Sequence, residues 1–476
     1  MADLPVPGAE LSDSARSDEA AIAAAVPAAV HAILGTLWSN GQAAYVVGGG
    51  PRDVLAGRTP ASSWDLATSA LPEETATLLA DAVYENRFGT VVVRRDGVDH
   101  EITTFRSDHD YADFRRPHRV EFTGSIEADL ARRDFAMNAL AWGAEASREA
   151  GAEAPRLLDL HSGRADIAAR LIRAVGEPRA RFEEDALRIL RAIRFAATLG
   201  FTIEPATLEA IHATAPLVAH LSGERIAMEL TRILAAERPS DGLRLLAATG
   251  VVAAISPELA AQRGVPQSKI AGEDLWDHTL RTVDAASARP LAEEPRWAAL
   301  LHDIGKPATA ADGHFYRHDS VGADQAGDLL DRLHVARATR ERIVHLVRQH
   351  MFRYEPNWSD AAVRRFLAKA GPAAVEDLFA LREADNAGSG LPPDAEDLTV
   401  LRERVAAELA RGPLLDRTAL AIDGRDLISE LGLAEGPGLG RVIDALFERV
   451  VEDPALNERG RLLDLAREIV AGDTPG

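Results

Sequence analysis

Cysteine is absent from the 476 residues, which excludes disulfides, thiol nucleophiles and cysteine-bound zinc. Lysine is almost absent, occurring only as Lys269, Lys306 and Lys369, so arginine supplies nearly all of the 53 basic side chains. Planar guanidinium groups suit bidentate contacts to phosphates and base edges, although a GC-rich genome produces the same bias. Aromatic residues make up only 5% against 46% hydrophobic residues overall, an Ala/Leu/Val interior that excludes a disordered or collagen-like chain. Bases are outnumbered by 74 acids, for a net charge of −21, which excludes a generally basic nucleic-acid coat and leaves only a local basic cleft. No stretch approaches about 18 uninterrupted apolar residues; the longest, Ala20 to Trp38, is broken by Pro27 and His31 and reads as an amphipathic helix. Acids Asp3, Glu10, Asp13, Asp18 and Glu19 against the single Arg16 are the wrong sign for a secretory leader. The expectation is a cytoplasmic protein with no membrane partner, long enough for about three domains.

Residues 1–28, rich in Ala, Ser and acid, read as a disordered tail. Beyond it the pattern is mixed. Ala44-Tyr45-Val46-Val47 and Gly89-Thr90-Val91-Val92-Val93 predict buried strands, Asp99 to Phe105 alternates like a third, and Arg156–Leu160 predicts another after a polar insertion at 144–155. From Asp166 onward the pattern is almost wholly helical, with breaks at Gly200, Pro239-Ser240, Gly250, Gly264–Gly272, Pro290–Pro295 and Leu391–Asp394.

The first chemical signal is Val46-Val47-Gly48-Gly49-Gly50-Pro51-Arg52-Asp53, a buried strand ending in three glycines before a helix. Such a corner is either only a turn or a phosphate cradle, in which glycines admit backbone N–H groups to the phosphate and Arg52 reaches an oxygen. Further segments follow in order: Gly57-Arg58, Ser63-Trp64-Asp65-Leu66-Ala67-Thr68, Glu101 to Arg106, Asp129 to Asn138 with Arg132-Arg133-Asp134, and Glu184-Asp185-Ala186-Leu187-Arg188. In these ordered motifs the chain resembles the bacterial class II nucleotidyltransferases, the group containing the CCA-adding enzymes and the poly(A) polymerases. The resemblance implies that Gly48, Gly49 and Arg52 hold a triphosphate and that Asp65 holds catalytic Mg2+. It also implies that Arg132, Arg133, Asp134 and Asn138 contact ribose and phosphates, and that Asp185 and Arg188 pair with the incoming base. Spaced three apart on an expected helix, Asp185 and Arg188 share a face opposite Leu190, Ile193 and Ala197. They read either as an intrahelical ion pair or as an acceptor and a donor matched to a base edge.

One position departs from the family pattern. Aspartates are expected at 63 and 65, and this chain has Ser63, a poor magnesium ligand beside a carboxylate. Either Glu101 and substrate phosphates complete the metal site, or the head is slow or inert. The segment 107–122, with Asp108, Asp110, Asp113, Arg115, Arg116 and Arg119, reads as a solvated connection; in the resembling family a loop here helps switch nucleotide choice. Eight arginines against five acids between Arg164 and Arg194 predict a local positive cleft.

A second constellation lies downstream: His278, then His302-Asp303-Ile304-Gly305-Lys306-Pro307, His318, His350 and Asp385. Neutral imidazoles and carboxylates suit divalent transition metals. The pattern resembles the HD phosphohydrolases, which implies His278, His302, Asp303 and Asp385 as ligands of an unidentified divalent transition metal, with His318 and His350 as further ligands or phosphate contacts. A silent structural HD fold is the alternative. The C-terminal helices, with Leu439, Val442, Ile443 and Leu446 on one face after Gly436-Pro437, read as packing; the resemblance adds a cradle for the tRNA elbow.

The expected fold class is therefore α+β. A nucleotidyltransferase α/β head (29–165) follows the disordered tail (1–28) and precedes an all-helical neck (166–262), an HD body (263–400) and a helical tail (401–476). The expected activity is addition of CCA to tRNA 3′ ends from CTP and ATP, with a second, phosphohydrolase activity at the HD centre. The alternatives are poly(A) polymerase, or an HD phosphohydrolase carrying a degenerate head.

Overall fold

Four consecutive apolar residues make β1 (Ala44–Val47), buried on both faces as such a run requires. The structure, a computed structural model, describes residues 13–86, 89–112, 116–145, 154–267, 269–412 and 417–472. Around β1 lie β2 (Asp65–Thr68), β3 (Ala82–Asn86), β4 (Thr90–Arg95) and β5 (Val98–Thr104). The chain next forms β6 (Arg106–Ala112) and β7 (Arg116–Phe122), then β8 (Ala141–Ala144) and β9 (Arg156–Leu158). Seven of these build one sheet in the order β3-β4-β5-β2-β1-β8-β9. Within this sheet, among the described residues, only β2 and β5 pair in parallel, with Leu66 opposite Ile102.

Strand alternation divides this sheet into two apolar faces. On one, Val46, Leu66, Val91, Val93, Ile102 and Trp142 pack with Ile22, Val26, Val30, Ile33, Leu34 and Leu37. On the other, Tyr45, Val47, Ala67, Phe105 and Ala141 pack with Ile126 and Leu130. The first packing corrects the expected disordered tail: Asp13–Ala25 is a helix, and Ile22 is fully buried. Its polar text concealed one apolar stripe that the sheet needs as a cover. Residues 1–12 lie outside the described residues, as do 146–153 of the expected polar insertion.

The expected connection at 107–122 is instead a two-stranded antiparallel hairpin, β6 with β7, in which His109 pairs with Arg119. Asp113 and Arg115 lie outside the described residues. Among the described residues no single helix is long and apolar enough to cross a membrane.

The chain divides into two compact units, Met1–Ile233 with Asp241–Ile255, and Leu234–Ser240 with Ser256–Gly476. The first holds the sheet and the helices Pro178–Glu184, Leu187–Leu199 and Pro205–Thr214. Among the described residues the second is helical apart from the short hairpin at 310–315. Its C-terminal helices close over Leu427, Val442, Leu446, Val450 and Leu462, with Leu439 and Ile443 packed against them. Buried Arg364 donates to the Val451 carbonyl at 2.7 Å and the Glu452 carbonyl at 2.8 Å, satisfying the last turn of helix Pro437–Glu452.

Candidate active site and candidate metal centre

In the first unit the sheet face carrying Val47 and Ala67 opens into a cavity of about 440 Å3. Asp65 begins β2 and Glu101 lies one residue before Ile102 on the parallel neighbour β5, so alternation places both carboxylates on that face. Both line the cavity, together with Arg132, Arg133, Asp134, Asp185 and Arg188. Gly48 adjoins it at a φ of 73°, a conformation costly for other residues, and a Cβ there would stand 3.4 Å from both Asp65 Oδ2 and Arg133. Gly50 is required for a different reason, since a Cβ would lie 2.5 Å from the buried Trp64 ring. Burial raises the pKa of the Asp65 carboxyl above the ordinary value, against the opposing pull of Arg133, Arg191 and Arg52. A carboxylate short of compensation beside a second acid fits a divalent cation.

The opposite wall is built by ion pairs. Asp129, fully buried, accepts from Arg132 at 2.6 Å and from Arg133 at 3.1 Å, so one carboxylate orients both guanidinium groups. Asp134 accepts from the Phe135 N–H, Asn138 and Arg191. These partners overcome burial and hold its pKa at about 2, against an ordinary 3.8. At about 1.4 kcal/mol per unit, that depression contributes about 2 kcal/mol of stability. Because the folded value is the lower one, the contribution is present above about pH 4 and lost as pH falls through about 2. Asp134→Asn is therefore expected to lower the urea-unfolding free energy by about 2 kcal/mol at pH 7, with the deficit closing near pH 2. An equal deficit at both pH values would show that charge is not its source.

Several expectations about this site change. Asp185 is not on the helix of Arg188: it is extended, at φ −144° and ψ 104°, between Pro178–Glu184 and Leu187–Leu199. It accepts from the Leu187 N–H at 3.0 Å, breaking the helix at the spot where an uninterrupted one was expected. The pair recorded for Arg188 is with Glu184 at 2.5 Å, and Asp185 pairs with Arg225 at 2.8 Å. Leu190 and Ile193 are fully buried, as their face requires, while Ala197 is half-buried.

Arg52 does not stand on the cavity wall. It donates to Asn138 at 2.8 Å and to Asp53, and it packs over Phe195, so it braces the site from behind. Gly49 and Asn138 are likewise absent from the cavity lining. Ser63 turns its hydroxyl to the Asp99 carbonyl at 2.6 Å, away from the cavity. The arginine-rich stretch is largely neutralised: Arg164, Arg173, Arg179, Arg181 and Arg194 pair with Asp18, Asp166, Glu183, Glu184 and Glu229, leaving Arg188 and Arg191 on the wall.

Asp129, Arg191, Arg225, Arg106, Thr90 and Thr103 also build the site and were not picked out from sequence. Spacing could have found the first two, since Asp129 precedes Arg132 and Arg133 by a helical turn and Arg191 follows Arg188 by one. Arg225, 40 residues from Asp185, left no local signal.

In the second unit five helices converge on Asp303. His278 lies within Leu275–Ser287, His302 and Asp303 follow Glu293–Leu301, His318 opens His318–Arg332, His350 closes Arg337–Gln349, and Asp385 lies in Val375–Gly388. All six side chains are buried. His302, His318 and His350 each place Nδ1 at 2.7–2.9 Å from the carbonyl three residues earlier, Ala299, Phe315 and Val347. Donation there assigns the proton to Nδ1 and leaves each Nε2 lone pair facing inward, the arrangement of a metal-ligating imidazole.

His278, His302 and Asp303 form one potential ligand set, and Asp303, His318 and His350 form another. His278 Nε2 lies 3.2 Å from Asp385 Oδ1. Burial depresses His350 to about 4, assisted by His302, so it is neutral at pH 7. Burial alone would raise Asp303, but His302, Lys306 and His278 hold its carboxyl well below the ordinary range. Among the described residues the buried Nε2 atoms of His318 and His350 have no hydrogen-bond partner. Orphaned nitrogens around a shared carboxylate fit metal ions, with Asp303 common to both sets.

Residues 44–173 match the poly A polymerase head domain, 200–263 the probable RNA and SrmB-binding site of polymerase A, and 275–389 the HD domain. With the acid-faced cavity, these define a nucleotidyltransferase joined to an HD unit, a pairing that uses divalent metal ions. The chain is 34% identical over 431 residues to the CCA-adding enzyme of Geobacillus stearothermophilus, covering 90% of this chain and 94% of that one. It is 30% identical to the CCA-adding enzyme of Streptococcus suis, covering 93% and 96%. The crystal structure of the Bacillus stearothermophilus CCA-adding enzyme in complex with CTP superposes with a TM-score of 0.67 at 31% identity, over 93% of this chain and 97% of that one. The Thermotoga maritima CCA-adding enzyme complexed with tRNA shares the fold at 18% identity and a TM-score of 0.55, over 94% and 98%. This chain belongs to the CCA-adding enzymes, the tRNA nucleotidyltransferases.

Proposed function

We propose that the first unit adds C, C and A to tRNA 3′ ends from CTP and ATP without a nucleic-acid template, in the cytoplasm. The observation that carries this reading is the single cavity in which Asp65 and Glu101 share a wall with Arg132, Arg133, Asp185 and Arg188. Asp65 and Glu101 would hold Mg2+, which would supply polarisation of the α-phosphate and activation of the 3′-hydroxyl. Arg132 and Arg133, fixed by Asp129, clamp phosphate and ribose oxygens, and Gly48 leaves room for the triphosphate beside Asp65. Asp185 accepts from and Arg188 donates to the base edge, each held by its own partner, Arg225 and Glu184. Positioning and charge neutralisation supply the protein's share of the rate.

Incubation with tRNA lacking its terminal triplet, labelled CTP and ATP, and magnesium tests the reading. Two C and one A are expected per acceptor. Long A-tracts would point to poly(A) synthesis, and no incorporation with phosphodiester hydrolysis would leave the head as a binding module. Ser63→Asp is expected to raise the incorporation rate about tenfold by restoring a carboxylate near the metal. An unchanged or lower rate would show that the gap is already compensated or that the alignment is shifted by one residue.

The two ligand sets sharing Asp303 favour a second activity. His278, His302, Asp303 and Asp385 would hold a divalent transition metal, and His318 and His350 face the other oxygen of Asp303, 3.4 and 3.8 Å away. A bound metal supplies an activated water for attack on a phosphoester.

A further inference from the structure

The segment 349–358 and helix Asp360–Ala370 of the second unit enclose a hollow of about 380 Å3. Its wall includes the half-buried rings of Phe352, Trp358 and Phe366, and its rim carries the exposed side chains of Arg353, Arg365 and Lys369. The rings form one surface, with centroids 4.9 Å apart for Phe352 and Phe366 and 6.0 Å for Trp358 and Phe366. Arg365 and Lys369 also border a neighbouring hollow of about 510 Å3, whose far side bears Glu448. Among the described residues no acidic partner is recorded for Arg353 or Lys369. Arg365 has only an exposed pair with Glu452 at 2.5 Å, which a phosphate displaces at little cost.

A chain of net charge −21 repels a polyanion except where it gathers cations, and only three lysines were available to place. Half-exposed rings beside such cations are the chemistry that receives unpaired nucleotides, because every base has a face to stack and every link a phosphate to neutralise. The cations favour RNA over an apolar peptide, which would gain nothing from them. We propose that this hollow receives an unpaired base of the tRNA substrate, stacked on Trp358 and Phe366, with flanking phosphates on Arg353, Arg365 and Lys369. The proposal rests on tRNA being the substrate.

The full chain is tested by filter binding across a salt series against tRNA lacking CCA and against a loop-free RNA duplex of the acceptor-stem sequence. The combined variant Arg353→Ser, Lys369→Ser, altered only at exposed positions, is expected to bind tRNA about tenfold more weakly. The slope of log affinity against log salt should fall by about 1.4, two phosphates at about 0.7 each for unpaired RNA. Duplex binding should not change, and Arg353→Lys with Lys369→Arg should bind as the unaltered chain does. Unchanged tRNA affinity and slope, or equal losses on tRNA and duplex, would overturn the proposal. So would weakening of free CTP or ATP binding in the Arg353→Ser, Lys369→Ser chain, which would make the hollow a mononucleotide site. If the unaltered chain bound no tRNA, the substrate reading itself would fall.

Discussion

Asp65→Ala is expected to slow labelled CMP incorporation by at least about 100-fold, measured in single turnover on tRNA lacking CCA. Four carboxylates line the cavity, but Asp134 is neutralised by Arg191 and Asp185 by Arg225. Asp65 and Glu101 are the two that share the sheet face of the cavity, and the proposed cation site rests on them, with Ser63 turned to a backbone carbonyl. Loss of an outer-shell partner at a metal site costs about 10–100-fold, so if Asp65 is a direct ligand as proposed, its loss costs at least the upper end. Asp65→Asn, which keeps the shape and removes the charge, should behave similarly. A loss below tenfold would mean that the cation is held elsewhere.

Asp303→Ala is expected to abolish metal binding at the HD centre and any phosphohydrolysis there, while CMP incorporation persists. Asp303 belongs to both ligand sets and accepts from Lys306 at 2.6 Å, so its removal strips a ligand from each and leaves Lys306 unpaired. Elemental analysis should show the loss of bound transition metal, and release of phosphate from a chromogenic phosphoester should fall at least about 100-fold. The head lies in the other compact unit, so its chemistry has its own residues. Joint loss of both activities with the fold intact would show that the sites are coupled.

The residues that announced themselves in sequence are those whose chemistry is local. Glycine at 48, the Arg132-Arg133-Asp134 run and the His-Asp dipeptide require particular residue types at fixed spacing, so the sheet corner, the arginine wall and the metal-ligand sets were all legible. The partners that decide what each group does were not. Arg225 reaches Asp185 from 40 residues away, and Asp18 neutralises Arg164 from 146 away, so charge counted along the chain overstated the positive cleft. Helical periodicity also ran across Asp185, where a single capping bond to the Leu187 N–H splits the helix. The N-terminal stretch failed in the opposite direction, since its polar composition hid the stripe ending in Ile22 and Val26 that covers the sheet.

The placement of the lysines has a consequence for covalent regulation. Lys306 contacts Asp303, Lys269 contacts Asp385 at 3.3 Å, and Lys369 stands on the ring-lined hollow. Side-chain amines thus occur nowhere but beside the ligands of the histidine cluster and on that one surface. Acyl transfer to lysine, enzymatic or spontaneous, would cancel charge at those addresses alone and leave the arginine-lined polymerising cleft chemically untouched.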